Sequence, residues 1–139
     1  DYIQNIYANK EPLINTRDLR IYFINNKNTK VEKVFRPLEI TMMIDNFVSN
    51  SIKAEATKLE FVIKKRSGIL SIDVTDNGIG IEDKIKDELF EFGKTTTNGS
   101  GIGLYHIKDI VEKLNGTIEL NKENSLFGAE FNIRINIWN

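Results

Sequence analysis

The sequence predicts an α+β fold in which helices cover one face of a mixed β-sheet. Three observations lead there. Residues 38–56 and 102–114 carry the hydrophobic spacing of amphipathic helices. Five shorter stretches alternate apolar and polar side chains with the period of a strand. The order along the chain is helix, strand, helix, hairpin, irregular segment, helix, hairpin, which suits two packed layers around one core.

The opening segment, residues 1–16, sets Ile3, Ile6, Tyr7, Leu13 and Ile14 near helical spacing, and Pro12 would kink or end that helix. Residues 17–25 alternate as a strand, with Leu19, Ile21 and Phe23 on one side. The polar run 25–30 reads as a loop. Pro37 suits the first turn of a long helix reaching about Ala56. Leu59, Phe61 and Ile63, then Leu70, Ile72 and Val74, alternate on either side of Ser67-Gly68, which is the pattern of a hairpin. Residues 76–103 are rich in glycine and threonine, with one short helical candidate over 82–91. Irregular segments of that length are uncommon in compact domains and tend to be functional lids. The next helix, 102–114, stops at Asn115-Gly116, a fitting C-terminal signal. Strands over 117–121 and 129–137 close the chain; in the second, Phe131, Ile133, Ile135 and Ile137 alternate cleanly.

The 139 residues suffice for one domain, and 40% hydrophobic against 28% charged residues is a globular balance. A net charge of −1 gives no sequence-independent pull toward nucleic acid. Lys64-Lys65-Arg66 is the one dense basic run, and it reads as a solvated strand end. The absence of cysteine excludes disulfides, thiolate catalysis and cysteine-ligated zinc. No apolar run approaches the roughly 18 residues needed to span a bilayer, and no signal peptide opens the chain. A cytoplasmic location is expected, with any membrane anchor elsewhere in a parent protein. Asp1 stands where a start methionine would, so the chain is expected to be a piece of something longer.

Four stretches carry chemistry. Asn46, Asn50 and Lys53, four and three residues apart, share one helical stripe within about 60°. Asparagine is a poor choice for a helix interior. An amide oxygen suits Mg²⁺, and a nearby lysine reaches phosphate oxygens; a plain solvent-facing stripe is the alternative. Asp76-Asn77-Gly78-Ile79-Gly80 follows a strand directly. Its carboxylate could accept a hydrogen bond from an exocyclic amine such as that of adenine, and its glycines let a planar ligand approach the main chain. The same residues also make an ordinary turn. The stretch from Phe90 to Thr97, with Phe90, Phe92, Lys94, Thr95 and Thr96, joins aromatic anchors to small polar residues, as a closing flap or a core-capping loop would. Gly99-Ser100-Gly101-Ile102-Gly103-Leu104 precedes a helix, and backbone N–H groups at such a glycine-rich helix start attract phosphate. A third glycine at the usual spacing is missing, and so is the P-loop pattern.

Each stretch is ambiguous alone, but together and in this order they resemble the N, G1, F and G2 boxes of the GHKL ATPase and kinase superfamily. Within it, the chain most resembles the catalytic ATP-binding domain of a sensor histidine kinase. The resemblance spans about residues 37–135. It implies the Bergerat fold, a two-layer α/β sandwich with a flexible ATP lid, and ATP with Mg²⁺ as cofactors. It further implies that Asn46, Asn50 and Lys53 are the catalytic residues, Asn50 being the Mg²⁺ ligand and Lys53 a phosphate contact. Asp76 is implied to recognise the adenine amine, with Gly78, Gly80 and Ile81 shaping that pocket. Phe92, Lys94, Thr95 and Thr96 correspond to the lid, and Ser100, Gly101, Ile102, Gly103 and Leu104 to its hinge and the phosphate-binding turn. Residues 127–131 resemble the final Gly-Thr-x-Phe strand. Two departures stand out: Ala54 replaces an aromatic that packs on adenine in many histidine kinases, and Ala129 replaces a threonine.

Hydrolytic branches of the superfamily carry a glutamate where Asn46 stands, to activate water. Histidine needs no such base, because neutral imidazole is already nucleophilic near pH 7. Asp45 points about 100° away on the helix and is a poor substitute. His106, the single histidine, lacks the surroundings of a phosphoacceptor. The resemblance therefore implies transfer of the ATP γ-phosphate to a histidine on a dimerisation domain outside this chain. Residues 1–16 would be a helix or linker from that domain, and 17–139 the catalytic domain. The expected partners are that dimerisation domain and a response regulator, with no nucleic acid; the isolated domain is expected to be monomeric and the parent a homodimer. A GHKL ATP hydrolase of the MutL, gyrase or chaperone type is the alternative, and a nucleotide-binding module without transfer activity is another.

Overall fold

The computed structural model describes residues 19–25, 35–91, 103–121 and 128–137, with the side chains of 83–85 left aside. The expected helix over 1–16 lies outside them. So do the loop residues 26–34 and most of the expected lid. Strand β1 (Arg20–Ile24) leads to helix α1 (Pro37–Lys53), then β2 (Lys58–Arg66) and β3 (Ile69–Asp76). A short 3-10 helix (Asp83–Glu88) stands where the helical candidate was expected. Helix α2 (Gly103–Lys113) and strands β4 (Gly116–Leu120) and β5 (Glu130–Asn136) complete the described elements.

The five strands form one sheet in the order β1-β2-β3-β5-β4. β1 and β2 run parallel, joined across α1, and every other neighbouring pair is antiparallel. The sheet is mixed, as the alternation implied. Register stacks the apolar residues in rows: Ile63 opposite Ile72, Ile72 opposite Ile133, and Ile133 opposite Ile118. These inner-face residues are at most 7% exposed, and each such burial contributes roughly 1.5–3 kcal/mol. Helix α1 presents Ile40, Met43, Ile44, Phe47, Val48 and Ser51 to that face. Phe47 sits against Phe61 and Phe131, with ring centroids 6.0 and 5.6 Å away. Helix α2 adds Ile107, Ile110 and Val111.

The other sheet face is polar. Arg134 reaches the Asp73 carboxylate at 2.9 Å, and Asn132 donates to Asp73 and to Glu130. An antiparallel sheet with one wet face produces the apolar–polar alternation that made the strands legible. Lys64, Lys65 and Arg66 are all exposed at the end of β2. No helix among the described residues is long and apolar enough to cross a membrane.

Turn chemistry fixes the corners. Ser67 and Gly68 both take positive φ, 51° and 76°, as the two central residues of a type I′ hairpin turn require. Asn115, at φ 61°, ends α2. Helix α1 stops at Lys53, three residues before the expected end. There Ala56 N–H donates to Ser51 C=O and Glu55 N–H to Ile52 C=O, the paired bonds of a Schellman turn. Glu55 occupies its left-handed position at φ 59°, which glycine more often fills. A glutamate there gives no stop signal, so the sequence pattern ran past the true end.

Candidate nucleotide-binding site

The site grows from the turn after β3. Asp76, the last residue of that strand, is 9% exposed. Its Oδ1 accepts hydrogen bonds from Gly78 N–H at 2.9 Å and Ala129 N–H at 3.3 Å. Its Oδ2 lies 3.4 Å from the Ser51 hydroxyl of α1. Asp76 N–H in turn donates to Ala129 C=O at 3.0 Å, which ties β3 to the entry of β5.

Two further ties hold the turn in place. Ile79 N–H donates to Ala54 C=O at 2.9 Å, so the end of α1 rests on residues 78–80. Asn77 Oδ1 accepts from Thr57 N–H and Lys58 N–H, both at 2.9 Å, and its Nδ2 donates to the Thr57 hydroxyl. Beside this corner the Lys58 ammonium lies 2.7 Å from Glu60; that hydrogen bond, reinforced by the Glu60 charge, raises the Lys58 pKa above its usual value.

Glycine is required where backbones touch. A Cβ on Gly78 would stand 2.6 Å from Ala54 O, and one on Gly128 would stand 2.2 Å from Asp76 O. Gly128 also takes φ 99°, a conformation that side chains disfavour. Main chain therefore packs closely around the Asp76 carboxylate, with Oδ1 on the glycine side and Oδ2 toward Ser51.

Asn46 marks the second half of the site. Its Nδ2 donates to Met42 C=O at 2.9 Å, one turn back along α1. A Cβ on Gly103 would come within 3.0 Å of Asn46 Oδ1, so glycine lets the N-terminus of α2 approach α1 here. The first N–H groups of a helix are open to anions. Asn50 is half-buried on the same stripe, with no hydrogen-bond partner for its side chain among the described residues; Lys53 is exposed. Ile81 and Leu104 are partly buried against the core, and Gly80 turns the chain at φ 79°. Among the expected lid residues, Phe90 packs edge-on against Phe131 at 6.0 Å. Phe92, Lys94, Thr95, Thr96, Ser100, Gly101 and Ile102 lie outside the described residues.

The structure thus brings Asn46, Asn50, Asp76, Gly78, Gly80, Gly103 and the end of α1 onto one side of the domain, around the junction of α1, the post-β3 turn and the start of α2. Two residues escaped the sequence reading. Ser51 is 1% exposed and bonds Asp76. Its signal was a polar residue on the apolar stripe of α1, three and four residues beyond Val48 and Phe47. Asn77 fastens the turn to the α1–β2 corner, whereas the motif suggested only turn propensity.

The family model of histidine kinase-, DNA gyrase B- and HSP90-like ATPases matches residues 36–138, well over half of the 139. Over 60% of its length the chain is 33% identical to a probable C4-dicarboxylate sensor kinase of Bacillus subtilis. Over 99% of its length it is 27% identical to the sensor histidine kinase RcsC of Escherichia coli. It spans only 17% and 15% of those two proteins. Among solved structures, the ATP-binding domain of PrrB from Mycobacterium tuberculosis superposes with a TM-score of 0.72 at 20% identity, covering 89% of this chain and 84% of that one. At that identity the likeness speaks to the fold, which is the two-layer Bergerat arrangement expected. With fold, turn chemistry and family match in agreement, the chain belongs to the histidine kinase-, DNA gyrase B- and HSP90-like ATPase family.

Proposed function

We propose that this chain is the ATP-binding catalytic domain of a sensor histidine kinase. In that reading it delivers the γ-phosphate of ATP to a histidine on a dimerisation domain of the parent protein, and a response regulator receives it next. The observation that carries the reading is the Asp76 carboxylate. Its Oδ1 is held by two main-chain donors on the side of Gly78 and Gly128, which leaves Oδ2, met among the described residues only by the long Ser51 contact, as an acceptor for the adenine amine.

The roles then follow the resemblance, and the geometry supports them. Asp76, Gly78, Gly80 and Ile81 receive the base. The N-terminus of α2, at Gly103 and Leu104, receives phosphate oxygens through backbone N–H groups. Asn46 and Lys53 contact the triphosphate, Lys53 as a point charge with no ion pair to any described residue. Mg²⁺ fits this donor set. Asn50 offers a neutral amide oxygen, a suitable single protein ligand for an ion that takes waters and phosphate oxygens as its others. When bound, the ion neutralises charge on the phosphates. The chain's own contribution is to position the triphosphate for in-line attack. The lid residues Phe92, Lys94, Thr95 and Thr96, with Ser100, Gly101 and Ile102, are assigned by resemblance to closure over the nucleotide.

Asn46 favours transfer over hydrolysis, because an amide is no general base for water. Incubating the longer parent protein with γ-labelled ATP tests this directly. The expected result is acid-labile, base-stable label on the protein, lost in Asn50→Ala. Sustained phosphate release without labelled protein, abolished by substituting Asn46 or Asp45, would instead establish the hydrolase reading.

A further inference from the structure

Ser51 lies on the apolar stripe of α1, 1% exposed, in line with Phe47 and Val48. A buried hydroxyl requires a partner, and its partner among the described residues is Asp76 Oδ2 at 3.4 Å. The hydroxyl donates and the carboxylate oxygen accepts. The carboxylate is therefore held at both ends: Oδ1 by the N–H groups of Gly78 and Ala129, and Oδ2, among the described residues, by the longer Ser51 contact. The 3.4 Å separation is longer than an ordinary O–H···O bond, so Oδ2 keeps capacity for a second, stronger donor.

We infer that Ser51 is a positioning residue for base recognition: its hydroxyl fixes the direction in which Asp76 Oδ2 accepts the 6-amino group of a purine. This rests on the reading of Asp76 given above. Without the hydroxyl, the carboxylate turns more freely about its anchored oxygen, and its grip on the amine weakens. The phosphate contacts assigned to Asn46, Lys53 and the start of α2 at Gly103 do not run through this hydrogen bond. Selectivity for 6-amino purines thus depends on two residues, only one of which meets the ligand.

The test compares binding of ATP and of purine riboside triphosphate, which lacks the 6-amino group, to the 139-residue chain by calorimetry. Wild type should prefer ATP; if it does not, the amine–Asp76 reading itself fails before any variant is made. In Ser51→Ala, ATP affinity should fall about five-fold, the scale of one lost hydrogen bond, while affinity for the analogue stays within about two-fold. Ser51→Thr keeps the hydroxyl and should keep the preference, whatever its added methyl does to the melting temperature. Equal loss for both nucleotides in Ser51→Ala would reduce Ser51 to a packing residue, and no loss for ATP would show that it does not orient Asp76. Either outcome overturns the inference.

Discussion

At the scale of single residues, Asp76 is asked to do two things at once. Oδ1 closes the turn by accepting from Gly78 and Ala129, while Oδ2 meets the Ser51 hydroxyl at the longer distance of 3.4 Å. Asp76→Asn separates the two. The amide keeps an oxygen for the turn but sets an N–H₂ donor where the ligand amine also donates. A buried donor facing a donor costs about 1–3 kcal/mol, so ATP affinity should drop roughly ten- to hundred-fold, read by calorimetry, while the fold persists. The sequence exposed this residue because a carboxylate followed by Asn-Gly at the end of an alternating run is a recognisable pattern. It did not expose Ser51, whose importance comes from a contact 25 positions away in the chain. Nor did it show why Gly128 must be glycine, since the crowding there is against Asp76 across the sheet.

At the scale of elements, α1 is the structural spine of the site. Its apolar stripe packs on the sheet through Phe47, and the half-buried flank beside that stripe carries Asn46 and Asn50. Its end carries Ala54, whose carbonyl receives Ile79. The start of this helix was legible because Pro37 fits a first turn. Its end was not, because Glu55 supplies the left-handed residue of the Schellman turn in place of glycine. That substitution leaves strain of about 1 kcal/mol in the native chain. Glu55→Gly should therefore raise stability by no more than about 0.6 kcal/mol in urea melts, once about 0.4–1 kcal/mol for the added freedom of the unfolded chain is subtracted, and leave ATP affinity unchanged. A loss of stability would mean that the left-handed turn is not what ends α1. The strands were easier to read, because each presents one face to the core and one to water, and the hairpin at Ser67-Gly68 follows from the residues of its turn.

At the scale of the whole molecule, the sheet has a dry face that holds two helices and a wet face held by Arg134, Asp73, Asn132 and Glu130. This division makes the ends of α1 and β3, and the start of α2, meet at one side of the domain. Periodicity revealed both layers. It could not reveal that convergence, which depends on the order β1-β2-β3-β5-β4 and on glycines at 78, 103 and 128 that let backbones approach. In the proposed function these three segments serve one nucleotide. The most direct check is a titration of the ¹⁵N-labelled chain with ATP and Mg²⁺, followed through backbone amide shifts. Residues 46–54, 76–80 and 103–105 should shift together along one binding curve, with Lys64, Ser71 and Arg134 on the wet face unmoved. Shifts confined to a single segment, separate curves for the three, or a response centred on the wet face would contradict the account.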